Sequence, residues 1–244
     1  MNQIIILAGG QGTRMQSELP KVLHPIKGIS IIERIINNTK PLFDRPVILV
    51  GFKGGEIMTT LGNKMNYIHQ AEQLGTGHAI WCAKQALAKE KYKNIVVIPG
   101  DHPLLSAATL KKLINVHESA RAKISLATIS VPDFAGDYGS FYHCGRIIRD
   151  NNQVRAIVEF KDASEEEKKI KEVNVGFYCF NARWLWKNIE KLNNKNKAEE
   201  YYLTDMIKIA YENGDKISSF VIDDAFEGLG VNNREQLDIV STYC

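Results

Sequence analysis

The stretch Ile4-Ile5-Ile6-Leu7-Ala8-Gly9-Gly10-Gln11-Gly12-Thr13-Arg14-Met15, followed by Pro20-Lys21, runs from apolar residues into glycines and then to two cations. An apolar run that meets glycine abruptly reads as a buried strand ending in a turn. Glycines let main-chain N–H groups approach an anion unobstructed, and Arg14 and Lys21 supply the positive charge that phosphates need. The stretch therefore predicts a strand, a glycine-rich loop and a polyphosphate cradle. It matches neither commoner glycine fingerprint. A P-loop needs Gly-Lys-Ser/Thr, and a dinucleotide fold needs three spaced glycines and an acid about 20 residues further on. A turn that is glycine-rich for geometry alone is the plainer alternative.

Outward from this strand, further strand-like runs fall at 46–51, 95–99, 124–130, 173–180 and 217–222. Helical patterns lie between them at 31–38, 55–61, 76–90, 107–118, 182–192 and 201–213. Strands alternating with helices imply βαβ units and a mostly parallel sheet flanked by helices, an α/β fold with ligands at the carboxyl ends of the strands. The alternation fails between Pro132 and Val158, where Tyr138, Gly139, Gly145 and the turn Asp150-Asn151-Asn152 suggest an inserted hairpin or lid. We expect one domain over 1–244, with an insertion at about 132–180 and a closing helix over 233–244. The charge run Glu165-Glu166-Glu167-Lys168-Lys169 reads as a solvated face.

The length suits one substantial core. Acids and bases are interspersed around a formal net charge of +3, so nothing in the composition calls for nucleic acid or a membrane surface. Cys82, Cys144, Cys179 and Cys244 are scattered with no Cys-x-x-Cys pair, which argues against a zinc site and a disulfide scaffold and for a reducing cytosol. The N-terminus does not read as a signal peptide, and no apolar window approaches a membrane span.

Two more clusters carry chemistry. Gln70-Ala71-Glu72-Gln73-Leu74-Gly75-Thr76-Gly77-His78 lies between a short strand and a helix. The Gln70 carboxamide offers a donor and an acceptor, as the edge of a uracil ring requires, and Gly75 brings main chain to the same edge. Read alone, the run equally suits a capped helix start. In Ile98-Pro99-Gly100-Asp101-His102-Pro103-Leu104-Leu105 a strand ends in glycine and a carboxylate. An acid there is placed to hold Mg²⁺ beside phosphate oxygens, or else to cap the helix at 107. His102 is either a ligand or proton relay, or a packed loop residue.

Together with Val158-Glu159-Phe160-Lys161-Asp162-Ala163, Val173-Asn174-Val175-Gly176, Glu200-Tyr201-Tyr202-Leu203-Thr204-Asp205 and Gly230-Val231-Asn232-Asn233-Arg234, these motifs occur in the order and spacing of one family. The chain resembles the uridyltransferase domain of bacterial bifunctional N-acetylglucosamine-1-phosphate uridyltransferase/glucosamine-1-phosphate acetyltransferases. That resemblance implies a Rossmann-like nucleotidyltransferase joining UTP and N-acetylglucosamine 1-phosphate into UDP-N-acetylglucosamine and pyrophosphate. By the same likeness Leu7, Ala8, Gly9, Gly10, Gly12 and Thr13 border the nucleotide, and Gln70, Gly75 and Thr76 read uracil. Arg14, Lys21 and Asp101 would be catalytic. Asp101 and Asn232 would bind Mg²⁺, and Gly100, Gly145, Glu159, Asn174 and Asn232 would contact the sugar.

The chain also departs from the family pattern. Gln11 stands where the family usually has lysine, Pro99 where an aromatic or other side chain commonly precedes Gly-Asp, and Cys144-Gly145-Arg146 where the family has Tyr-Gly-Arg, after the unusual Tyr138-Gly139-Ser140-Phe141-Tyr142-His143. These changes bear on the sugar pocket more than on the uridine pocket. The likeness does not extend to a hexapeptide-repeat acetyltransferase, so no acetyl-coenzyme A site is expected in these residues. Two alternatives stay open: a nucleotidyltransferase for another sugar 1-phosphate, and a catalytically silent nucleotide-sugar-binding domain.

Overall fold

A computed structural model describes residues 1–244. Strand β1 (Asn2–Ala8) lies between β4 (Val47–Val50) and β6 (Asn94–Pro99), parallel to both, and β5 (Asn66–His69) adds a parallel edge beyond β4. On the other side β10 (Glu172–Asn181) pairs antiparallel with β6 and with β7 (Ile124–Ser130), and β11 (Ile217–Val221) closes that edge parallel to β7. The order β11-β7-β10-β6-β1-β4-β5 is the expected helix-flanked sheet, parallel except for β10.

Alternation along the strands divides two cores. Ile4, Ile6, Ile48, Val50, Val96 and Ile98 face one side, where α1 (Ile31–Thr39) and α4 (Ala107–Ala120) pack. Ile5, Val47, Leu49, Ile95 and Val97 face the other, under α3 (Thr76–Leu87), α6 (Ala182–Asn188) and α7 (Asp205–Glu212). A strand apolar at every position is one covered on both faces, which is why these runs were continuous in the sequence. A hairpin, β2 (Pro25–Ile26) and β3 (Ile29–Ser30), leads into α1, where Ser30 and Glu33 form a reciprocal capping box. Helix α2 (Gly54–Leu61) connects β4 to β5.

Between β7 and β10 the chain makes a 3-10 stretch, Gly136–His143, then the hairpin β8 (Arg146–Asp150) and β9 (Gln153–Val158), then one helical turn, α5 (Glu165–Lys168). Asn151 and Asn152 turn the hairpin with φ of 45° and 70°, the left-handed values that asparagine tolerates best among residues with a side chain. The sequence-based bounds of this insertion need correction at the far end: from 172 onward β10 is a central strand of the body. The run 165–169 is a solvated helix, with Ser164 capping it and Lys168 and Lys169 pairing with Glu165 and Glu166.

A second correction concerns 201–213, where the helix begins only at Asp205. Residues 201–204 are instead non-helical and tied to the start of α3: the Tyr201 N–H donates to the Leu74 carbonyl, and the Tyr201 carbonyl accepts from the Gly77 N–H at 2.7 Å. The closing helix α8 (Arg234–Tyr243) starts one residue later than expected, with Asn233 as its N-cap. All four cysteines are free, and no helix is long and apolar enough to cross a membrane.

One buried group makes stability depend on pH. His117 on α4 is 2% exposed and shares a 2.9 Å hydrogen bond with Ser125 Oγ. Burial lowers its pKa from 6.5 to about 4. The unfolded chain therefore takes up this proton at higher pH than the folded one, so stability is full above 6.5 and is lost on acidification toward 4. The expected slope from this group is about 1.4 kcal/mol per pH unit. Urea unfolding at several pH values tests it: His117→Gln should flatten the dependence between pH 6 and 4, and an unchanged slope would refute the assignment.

Candidate active site

The carboxyl ends of β1, β4 and β6 open onto one cleft of about 600 Å³. Leu7, Ala8, Gly9, Gly10, Lys21, Gln70, Gly75, Thr76, Asp101, Glu159 and Asn174, all singled out from the sequence, line it. Gly12, Thr13, Arg14, Gly100, Gly145 and Asn232 are not in its wall.

The glycine loop is shaped by close approaches. Gly12 sits at φ 62°, and a Cβ there would lie 2.8 Å from Lys21 Cβ, so a side chain would displace the lysine stem. Gly100 lies beneath the cleft, its N–H bound to the Leu7 carbonyl at 2.8 Å.

The cationic centre is a four-residue network. Lys21 Nζ contacts Asp101 Oδ2 at 2.5 Å and Asn232 Oδ1 at 3.0 Å, and Arg14 Nη2 donates to the same Asn232 oxygen at 3.1 Å. Arg14 and Asn232 thus join the site through Lys21. His102 Nδ1 lies 2.7 Å from Asp101 Oδ1, while its ring meets the Phe177 ring edge-on. His102 is the packed loop residue, and it braces the carboxylate. Burial alone would raise the Asp101 pKa, but the Lys21 ammonium and His102 overcome it and hold the carboxyl far below the usual range. The alternative role of Asp101 as a helix cap is removed, because Ser106 caps α4.

Whether a divalent cation suits this place follows from its donors. Asp101 Oδ2 and Asn232 Oδ1 converge on a single positively charged group, the Lys21 ammonium, and both are hard oxygen donors of the kind Mg²⁺ prefers. No group of three or more His, Cys, Asp or Glu side chains surrounds them. An ion here would complete its shell with water and phosphate oxygens, which matches how Mg²⁺ binds with nucleotides.

Lining the cleft, Gln70 is 4% exposed. Its Nε2 donates to the Gly75 carbonyl at 3.1 Å and lies 3.2 Å from His78 Nδ1. The carboxamide donor is therefore spent inside the protein, which leaves Oε1 as its free acceptor. The Gly75 N–H has no acceptor in the protein, so the pair presents one acceptor and one donor. Thr76 lines the cleft, but its Oγ1 accepts from the Leu203 N–H and anchors the 201–204 segment. Gly75 starts α3 without a side-chain cap, and its φ of 105° with Tyr201 O 2.6 Å from a Cβ position requires glycine.

In the same cleft wall, β10 shifts register between Asn174 and Phe177, where Gly176 adopts φ 81° against the Pro99 ring. The bulge turns Asn174 to the cleft, its Oδ1 accepting from the Gly176 N–H and from Tyr178 Oη at 2.8 Å. Glu159 accepts from Thr204 Oγ1 at 2.9 Å. Burial pushes the Glu159 carboxyl up, with the Thr204 hydrogen bond opposing. Gly145 packs against Glu159, with a Cβ position 3.3 Å from Oε2. Gln73, Tyr178, Glu200, Leu203 and Thr204 also line the cleft and were not singled out. Gln73, Glu200, Leu203 and Thr204 lay inside quoted motifs, but only the fold turns them toward the cleft.

This chain belongs to the MobA-like NTP transferase domain family, which it matches over residues 4–202. Among curated relatives it is 44% identical over 235 residues to the bifunctional protein GlmU of Shouchella clausii, covering 96% of this chain and 50% of that one. The bifunctional protein GlmU of Acetivibrio thermocellus is 42% identical over 237 residues, covering 96% and 49%. The chain thus spans about half the length of the curated relatives it matches. A crystal structure of UDP-glucose pyrophosphorylase complexed with UDP-glucose superposes with a TM-score of 0.77 at 15% identity, covering 100% of this chain and 98% of that one. At that identity the likeness concerns the fold alone.

Proposed function

We propose that the cleft joins UTP to N-acetylglucosamine 1-phosphate, giving UDP-N-acetylglucosamine and pyrophosphate. The observation that carries this reading is the gathering of three chemistries in and around one cleft. Gln70 and Gly75 offer an acceptor and a donor for an imide edge, Lys21, Asp101, Asn232 and Arg14 form a cationic centre, and Glu159 and Asn174 offer polar groups for hydroxyls. A domain that only sensed a nucleotide sugar would have no use for the charge gathered around Lys21.

The chemistry needs no covalent enzyme intermediate and no strong base, because the attacking sugar-phosphate oxygen is already anionic at neutral pH. The protein aligns that oxygen with the α-phosphorus, and the glycine loop and Lys21 screen the two anions from each other. Arg14 and Lys21 stabilise the departing pyrophosphate. Asp101 and Asn232 would hold Mg²⁺, which when bound neutralises charge on the reacting phosphates.

The sugar end gives a testable expectation. Glu159→Ala should raise KM for the sugar phosphate far more than for UTP, since the lost acceptor touches only the sugar. Tyr142 and His143, from the stretch that departs from the family pattern, meet Phe160 edge-on in an aromatic cluster next to Glu159 in sequence. N-acetylglucosamine 1-phosphate is expected to be the best substrate, with weaker discrimination against glucose 1-phosphate and N-acetylgalactosamine 1-phosphate than the resemblance implies. Pyrophosphate release from UTP across these three sugars measures it. A strong preference for either of the latter two would replace the assigned sugar.

A further inference from the structure

Arg146 at the start of β8 is completely buried and has no carboxylate partner. Its guanidinium donates to the main-chain carbonyls of Tyr142 at 2.7 Å, of Lys168 at 3.1 and 3.2 Å, and of Cys144. It also lies 4.6 Å from the Phe134 ring centroid, 5.7 Å from Tyr142 and 5.6 Å from Phe160. A charge withdrawn from water without a counter-ion is costly, and an apolar side chain of similar volume would fill this space at less cost. What an apolar side chain lacks is the rigid fork of donors that satisfies three carbonyls at once.

Those carbonyls belong to two segments, 136–144 and α5 (Glu165–Lys168), which in sequence lie before Gly145 and after Glu159. The Cys144–Gly145 peptide is planar and trans, so its N–H points away from the carbonyl that Arg146 holds. No group in the protein accepts that N–H. The Gly145 carbonyl accepts from the Asn174 N–H at 2.9 Å, which fixes the other side of the residue.

We propose that Arg146 is a positioning residue: by holding the Cys144 carbonyl it fixes the Gly145 N–H just behind Glu159 and Asn174, which line the cleft, as a donor to a sugar phosphate that reaches past them. This rests on the function proposed above. Arg146 touches no substrate. It acts through the one peptide plane it fixes.

The test is steady-state kinetics of Arg146→Met and Arg146→Lys, with both substrates varied. The Met variant should raise KM for N-acetylglucosamine 1-phosphate about tenfold or more and leave KM for UTP within about twofold, with Lys between Met and wild type. A purely structural staple would lower the melting temperature and the active fraction while leaving both KM values in place, and that result overturns the proposal. Should the Met variant not fold, the Gly145 amide resonance of wild type decides. It should shift on adding the sugar phosphate to the UTP-bound protein, and an unmoved resonance rejects the role. A wild-type chain that turns over no sugar 1-phosphate fails the functional reading itself, whereas normal wild-type turnover with an unsplit KM fails only Arg146.

Discussion

Asp101→Asn is expected to lower kcat by roughly a hundredfold or more, on the order of 3 kcal/mol of lost transition-state stabilisation, without unfolding the chain. The substitution keeps an oxygen and the shape of the side chain but removes the charge that Lys21 Nζ meets at 2.5 Å. Lys21 then loses its counter-ion, and the oxygen pair with Asn232 loses its only anionic member. Because His102 packs on Phe177 and is not held by Asp101 alone, the local loop should stay in place. Initial rates at saturating substrates with Mg²⁺, beside a thermal melt, separate catalysis from stability. Near wild-type turnover would mean that the cation site is wrongly assigned.

Base selection should be nearly as large. Gln70 Oε1 is an acceptor and the Gly75 N–H a donor, which matches an imide N–H beside a carbonyl and not the inverted pattern of cytosine. Leaving a buried polar group unpaired costs about 1 to 3 kcal/mol, so two mismatches should favour UTP over CTP by roughly thirtyfold or more. ATP should be rejected as well. Gln70→Ala should erase much of this preference while sparing the sugar KM. Equal kcat/KM for UTP and ATP in wild type would remove Gln70 from its role.

How much of this was legible depended on what each residue type can do alone. The strands were legible because both faces of the sheet are covered, so β1, β4 and β6 carry the unbroken apolar runs 4–8, 47–50 and 95–99. Edge strand β5 has no fully buried residue, and its composition, Asn66-Tyr67-Ile68-His69, carried little more than a hint. The helix over 201–213 was drawn too long because Tyr201 and Leu203 are apolar for a tertiary reason: they pack on α3 where Gly75 and Gly77 leave room. Glycine and the cations Arg14 and Lys21 announced the phosphate loop, since few other roles combine them. Thr204, Tyr178 and Arg146 gave no such signal. Their roles depend on tertiary packing: Arg146, quoted only within Cys144-Gly145-Arg146, is buried by the fold among the carbonyls of Tyr142, Cys144 and Lys168.

The measurement that bears most directly on the central claim is product formation by the purified chain with UTP, N-acetylglucosamine 1-phosphate and Mg²⁺. The account predicts UDP-N-acetylglucosamine and pyrophosphate in equal amounts, with release that stops when the sugar phosphate is omitted. Tight binding of UTP or of the nucleotide sugar with no pyrophosphate released under any sugar 1-phosphate would contradict it, and would make the cleft a binding site instead of an active site.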